Sequence, residues 1–278
     1  MKKQITLFVL ILSGMFQMVQ AQSALGDMAC VYIQTVSLDS SAAVYSKLGF
    51  TETGSNTFPV PWKQLSDGSL VIMLRQDEQA YMGLTYYSDS VDVVAGKLKA
   101  DGIVFTRTPA AGDAIKRYYF RSPDGFPIML AENLGGFKAP QGVTLLSMNQ
   151  ADYNKPEKYP NQVCGVFGEY CHPVDDLNAS LPFWKKIGFT VKYQVNEPYP
   201  HAILSDGLMI IGLHQTIHFD YPAVTYFGIN TLKRIDQLKS KGLTDFSEVM
   251  GANNQVLKTW EGRMFYILAG NVMLVVSL

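Results

Sequence analysis

Apolar and polar positions alternate loosely over residues 30–36, as on a half-buried strand, and the polar pair Asp39-Ser40 then opens a helical run over 41–48 that Gly49 stops. Strands follow over 50–57, 62–65 and 70–75, with Asp67-Gly68 as the tight turn between the last two. This is one βαβββ unit. A second begins at once: a strand over 82–87, a helix over 91–100 ended by Gly102, and strands over 103–106, 116–121 and 126–132, with the turn Ser122-Pro-Asp-Gly125 between the last pair. Periodicity fades over 136–162, where Pro140, Pro156 and Pro160 mark a linker, although 143–148 has the makings of a short strand or helix. A third unit runs over 163–214. Its strand spans 166–172, Asp175 or Asp176 caps its helix, and Pro182 is expected to kink that helix. The fourth has a helix over 232–241, a stop at Gly242, and last strands over 263–268 and 272–276.

The third and fourth units repeat the first two. Lys-Leu-Gly-Phe50 answers Lys-Ile-Gly-Phe189, and Leu65-Ser-Asp-Gly68 answers Leu204-Ser-Asp-Gly207, both at a spacing of 139 residues. So long a period means two similar domains rather than a solenoid. The fold class is therefore α+β: four βαβββ units in two tandem domains, 28–135 and 163–278.

Composition agrees with packed domains, at 47% hydrophobic and 17% charged residues over 278 positions. The net charge of −1, with no basic run longer than a pair, argues against nucleic acid as a partner. Lys2-Lys3, a twelve-residue apolar run over 5–16 and the small residue Ala21 form the pattern of a signal peptide over 1–21. The run is too short to span a bilayer, so no membrane span is expected after cleavage, and the mature protein is expected in the periplasm or secreted. Cys30, Cys164 and Cys171 lie in apolar strand-like runs and read as buried free thiols.

The motifs Val174-Asp-Asp-Leu177, Phe183-Trp-Lys-Lys-Ile-Gly-Phe189, Ser205-Asp-Gly207, Leu98-Lys-Ala-Asp-Gly102, Leu238-Lys-Ser-Lys-Gly242 and Arg117-Tyr-Tyr-Phe-Arg-Ser-Pro-Asp-Gly125 stand in an order and spacing that resembles the vicinal oxygen chelate superfamily. That superfamily includes glyoxalase I, bleomycin-resistance proteins and extradiol dioxygenases. The resemblance covers nearly all of the mature chain. It implies that each pair of units closes into a cup that holds a ligand, and that a divalent metal is held by His, Gln or Glu from the first and last strands of the units. The matching positions are Cys30, Met73, Gly83 and Met129 in the first domain, and Glu169, Gly212, Val224 and Leu274 in the second. Among these only Glu169 is a hard-metal ligand, joined by His214 two residues beyond Gly212. Two donors make an incomplete site. The resemblance thus implies a cup that binds a small organic molecule without a full metal site. The alternatives are a metal-dependent lyase, isomerase or dioxygenase in which Glu169 and His214 hold a divalent ion or act as base, and an interaction protein that has lost the chemistry. Domains of this superfamily often pair, so a homodimer is a further option.

Glu169 is the leading candidate, because an acid within an apolar strand needs a partner. The bland reading pairs it with Arg263. His201 and His214 fall on neighbouring strands of one hairpin and read either as a cluster with Glu169 or as two partly exposed structural histidines. His172 alternates to the opposite face, outside the cup or at its rim, and His218 falls in a loop. Arg117 and Arg263 precede aromatic pairs at equivalent places and are candidates for anion binding, or else pair with local acids. Trp62, Tyr32 and Tyr86 in the first domain, and Tyr199, Trp260 and Tyr266 in the second, supply aromatic lining for a flat apolar ligand, or plain core.

Overall fold

The computed structural model describes residues 23–76, 81–197, 199–217, 222–229 and 231–243, together with two final strands, Met264–Ala269 and Val272–Ser277. The signal peptide expected over 1–21, as well as His218, Trp260 and Arg263, lie outside the described residues. Of Tyr266 only its strand position is described.

In the first half the order is β1 (Met28–Gln34), α1 (Leu38–Lys47), β2 (Thr51–Asn56), β3 (Trp62–Ser66), β4 (Val71–Arg75), β5 (Met82–Ser88), α2 (Val91–Ala100), β6 (Arg117–Arg121) and β7 (Pro127–Glu132). The linker carries α3 (Gln150–Tyr153) and a 3-10 turn at Pro156–Lys158. The second half repeats the pattern with β8 (Val166–Pro173), α4 (Leu177–Lys186), β9 (Thr190–Val195), β10 (His201–Ser205), β11 (Ile210–His214), β12 (Ala223–Phe227), α5 (Thr231–Ser240), β13 (Met264–Ala269) and β14 (Val272–Ser277). Each half forms a seven-stranded mixed sheet, in the orders β2-β3-β4-β1-β5-β7-β6 and β13-β14-β12-β8-β11-β10-β9. In both, the first strand of the half lies at the centre, parallel to one neighbour and antiparallel to the other. This is the α+β, two-domain glyoxalase-like fold.

Two local expectations change. Helix α1 starts at Leu38 behind Ser37, whose hydroxyl accepts from the Ser40 amide at 3.3 Å. Asp39 falls in the first turn, where its charge favours the helix dipole. No strand forms over 103–106, and only an isolated bridge joins Arg107 to Tyr119; Pro109, which would face Arg117 next along, has no amide with which to extend it. Pro182 sits inside α4 without ending it.

Both faces of the central strands are covered, so β1 is buried along almost its whole length rather than half-buried as the alternation over 30–36 implies, and β8 is buried in the same way. On the helix side, Ala29, Val31 and Ile33 join one core that also contains Trp184, Tyr170 and Tyr226 of the second half. Rings cross between the halves: Phe50 meets Tyr226 at 6.4 Å, and Phe126 meets Tyr170 at 5.3 Å and Trp184 at 5.6 Å. The two Ser-Asp-Gly turns take part in the same way. One oxygen of Asp67 accepts from the amides of Ser69 and Leu70, and the other accepts from the Tyr226 hydroxyl. In the second half one oxygen of Asp206 accepts from Leu208 and Met209, and the other accepts from the Tyr86 hydroxyl at 2.6 Å. The linker is anchored as well, through Gly142 N to Gly68 O at 2.8 Å, and through the turn over 143–148, where Leu145 N donates to Phe167 O at 2.8 Å. The opposite face of each sheet forms a cup.

Candidate functional site

The first cup is lined by Met28, Cys30, Tyr32, Met73, Tyr87 and Met129, with Trp62, Tyr81, Tyr119 and Phe137 packed over them. Register places Thr85 opposite Cys30 on one side and Met129 on the other. The expected position at Gly83 therefore moves to Thr85, two residues further along the same strand face. Burial pushes the Cys30 thiol far above its ordinary range, so it is a poor thiolate. A thiol, two thioethers and a hydroxyl do not suit a hard cation. Trp62 and Arg117 lie half-buried on strands of this cup, while Tyr86 points away into the core between the halves.

The second cup is polar where the first is apolar. Strand β8 carries Glu169 and Cys171 on the cup face and sends Phe167 and Tyr170 into the core, with a register irregularity against β12 near Gly168. That irregularity puts Thr225 opposite Glu169, so the position expected at Val224 belongs to Thr225; Val224 is buried in the core. Strand β11 brings Gly212 and His214, and β10 sets His201 directly opposite His214. Their rings stack with centroids 5.4 Å apart and an interplanar angle of 2°. Glu169 is 4% exposed and His214 8%. Both carboxylate oxygens lie 3.1 Å from His214 Nε2. A carboxylate only accepts, so Nε2–H donates and Nδ1 is left to accept from the Tyr199 hydroxyl at 3.3 Å. Tyr199, His214 and Glu169 thus form a chain from the half-buried rim to the floor. His201 joins it through its ring, and its Nδ1 lies 3.1 Å from the Tyr199 carbonyl. Burial lowers the His201 imidazole below its ordinary pKa, with that carbonyl opposing.

Gly212 makes the arrangement fit. A methyl group there would fall on Oε2 of Glu169 and within 2.7 Å of Nε2 of His214. The carboxylate occupies the space that a ligand side chain at position 212 would need. An isolated glycine within the apolar run Ile-Ile-Gly-Leu is the sequence signal for such a close approach. Cys171 and Thr225 also face this cup and were missed as site residues. The Cys171 thiol is raised by burial, then by the charge of Glu169.

Among the described residues, no group of three or more His, Cys, Asp or Glu side chains converges as a metal would require. Glu169 and His214 satisfy each other, and the third register position offers only the Thr225 hydroxyl. Among the described residues this is a pair of donors, short of the set that the resemblance implies for a divalent metal. His172 lies opposite the cup, as its alternation implies, but inside the core against the Phe126 ring, at 4.5 Å. Burial lowers its pKa to about 4, opposed in part by the Asp124 backbone.

No protein-family model and no curated protein matches the sequence. Solved structures do match. Homoprotocatechuate 2,3-dioxygenase from Brevibacterium fuscum aligns with a TM-score of 0.55 and 14% identity over 94% of this chain and 73% of its own. A Mn(II)-bound glyoxalase from Novosphingobium aromaticivorans gives 0.54 and 15% over 92% and 82%. A 2,3-dioxygenase from Pseudomonas sp. KL28 gives 0.56 and 13% over 92% and 93%. At these identities the likeness establishes the fold: the chain has the architecture that extradiol dioxygenases and a glyoxalase share.

Proposed function

We propose that the chain is an exported protein that binds a small organic molecule in its second cup without a complete metal site. The Glu169–His214 pair with Tyr199 at its outer end carries this reading. A buried, mutually satisfied acid–imidazole pair at the floor of a concave face is a polar anchor of the kind that orients a ligand within apolar walls. His214 donates inward to Glu169, and the Tyr199 hydroxyl faces the half-buried rim. A ligand hydroxyl or carbonyl entering there meets Tyr199 and the stacked His201 ring first.

The same chain supports a second reading, proton-transfer chemistry of the lyase or isomerase type. A carboxylate that orients an imidazole, which in turn contacts a hydroxyl, is a general acid–base relay. The dioxygenase and glyoxalase neighbours make catechols and hemithioacetals the first compounds to screen. Export is supported by the charged start and apolar run of residues 1–16; an intact mass beginning at Gln22 checks it.

Metal content of the purified mature protein and thermal shifts with added zinc, nickel, manganese and iron(II) test the reading together. The expected result is no stoichiometric metal, no shift with metals, and a shift with a small phenolic or carbonyl compound that is lost in Glu169→Gln. About one equivalent of divalent ion, lost in Glu169→Ala, replaces this reading with the metal-dependent lyase, isomerase or dioxygenase. Absence of any ligand shift points to an interaction protein instead.

A further inference from the structure

The linker begins by crossing the mouth of the first cup. Residues 133–141 form a strap whose Phe137 ring packs edge-on against Tyr87 at 4.8 Å and Trp62 at 5.5 Å, over the methionine floor. The strap is tied to the sheet at Asn133, whose amide donates to the Ser88 carbonyl at 3.0 Å. The Asn133 side chain takes the Phe137 amide at 2.8 Å and donates to the Phe137 carbonyl at 3.1 Å, holding the ring in place from four residues away. Two glycines intervene. Gly135 must lack a side chain because a methyl there would come within 2.6 Å of the Phe137 ring, and Gly136 has φ near 61° with open space around it. Behind the strap lies a cleft of about 510 Å³, bounded on its far side by Ser23, Asp27, Asp89 and Leu208 and reached by Phe137 itself. Phe137 therefore packs over the cup on one side and borders that cleft on the other.

What replaces the ring is indicated by the cup's charge. Arg117, Ala131 and Tyr87 stand in one row across β6, β7 and β5, at the inter-strand spacing of roughly 4.8 Å. Arg117 is half-buried, and among the described residues no acid pairs with it. Arg117 thus shares its cup-facing row with Tyr87, the ring that packs on Phe137. An aromatic ring held edge-on by Trp62 and Tyr87, with an arginine in the same row of the sheet as Tyr87, is a recognition pattern for an aromatic anion.

We propose that the first cup is a second ligand site, for a small aromatic carboxylate whose ring takes the place of Phe137 and whose anion is held by Arg117. This site is separate from the Glu169 cup and does not depend on that cup's role.

Calorimetric titration of the mature protein with benzoate and with benzyl alcohol tests it. Because the closed strap reduces apparent affinity by the fraction of time it stays closed, Asn133→Ala, which frees the strap without hollowing the cup, is expected to bind benzoate about tenfold more tightly than wild type. Phe137→Ala is expected to do the same, and Phe137→Leu, which keeps a plug, to gain less. Arg117→Gln in the Asn133→Ala background is expected to cost about tenfold for benzoate and nothing for benzyl alcohol. Equal affinity for the two compounds in Asn133→Ala overturns the proposal, since the cup then takes any ring. So does a gain seen only in Phe137→Ala, which marks an artificial hole beneath a permanent plug.

Discussion

At Gly212 a single methyl group collides with the Glu169 carboxylate. Gly212→Ala is therefore expected to push Glu169 off His214 and to destabilise the protein by about 1–3 kcal/mol, as overpacking does, measurable by urea unfolding together with the His214 ring resonances. His172 offers a pH test. Its proton binds near pH 6.5 in an unexceptional setting but only near 4 in the core beside Phe126. Between those values the unfolded chain holds more proton than the folded one. Stability from this residue is thus complete above about pH 6.5 and falls as pH drops toward 4, by up to about 3 kcal/mol. His201, lowered in the same direction, adds to the slope. Urea unfolding at pH 7.5, 5.5 and 4.5 checks this. His172→Ile, which copies Ile33 at the matching position of the first half, is expected to flatten much of the slope.

The helix starts differ in quality. Asp176 caps α4 with one oxygen serving both Asn178 N at 2.8 Å and Ala179 N at 3.3 Å, whereas Ser37 serves one amide at 3.3 Å. Asp176→Ala is expected to cost about 1–2 kcal/mol and Ser37→Ala about 0.5 kcal/mol, compared by thermal unfolding. Asp176 was within reach of the sequence because a short acid before an amphipathic run is a strong local signal. Ser37 was not, because Asp39 and Ser40 offer the same signal two and three residues later. Strands with both faces covered are legible as apolar runs, whereas which of their residues meet the cup depends on register. The irregularity near Gly168 shifts register by one residue, which puts Thr225 rather than Val224 in the cup. Glu169, His201 and His214 were legible as one cluster because strand alternation and a hairpin place them together. Phe137 was not, since it comes from a strap without periodicity and is placed only by a side-chain clamp at Asn133.

Across the whole molecule the two halves hold each other by one contact made twice, Tyr226 on Asp67 and Tyr86 on Asp206, each carboxylate also bracing its own turn. Tyr226→Phe and Tyr86→Phe are each expected to cost about 1.5–3 kcal/mol, as for a buried bond to a charged acceptor, read as lowered unfolding midpoints without change in denaturant slope. The reciprocity also bears on ancestry. A contact in which each partner gives a tyrosine and receives one on an aspartate is the isologous interface of a two-fold dimer. The first half carries both members of the pair, Tyr86 and Asp67, and so holds all that the contact needs to close on a copy of itself. Expressed alone, residues 22–148 are expected to run in light scattering as a dimer that Tyr86→Phe weakens. On that view the present chain is a pair of once-separate subunits, and the linker made their partnership permanent, leaving one cup free to keep its polar floor while the other acquired a plug.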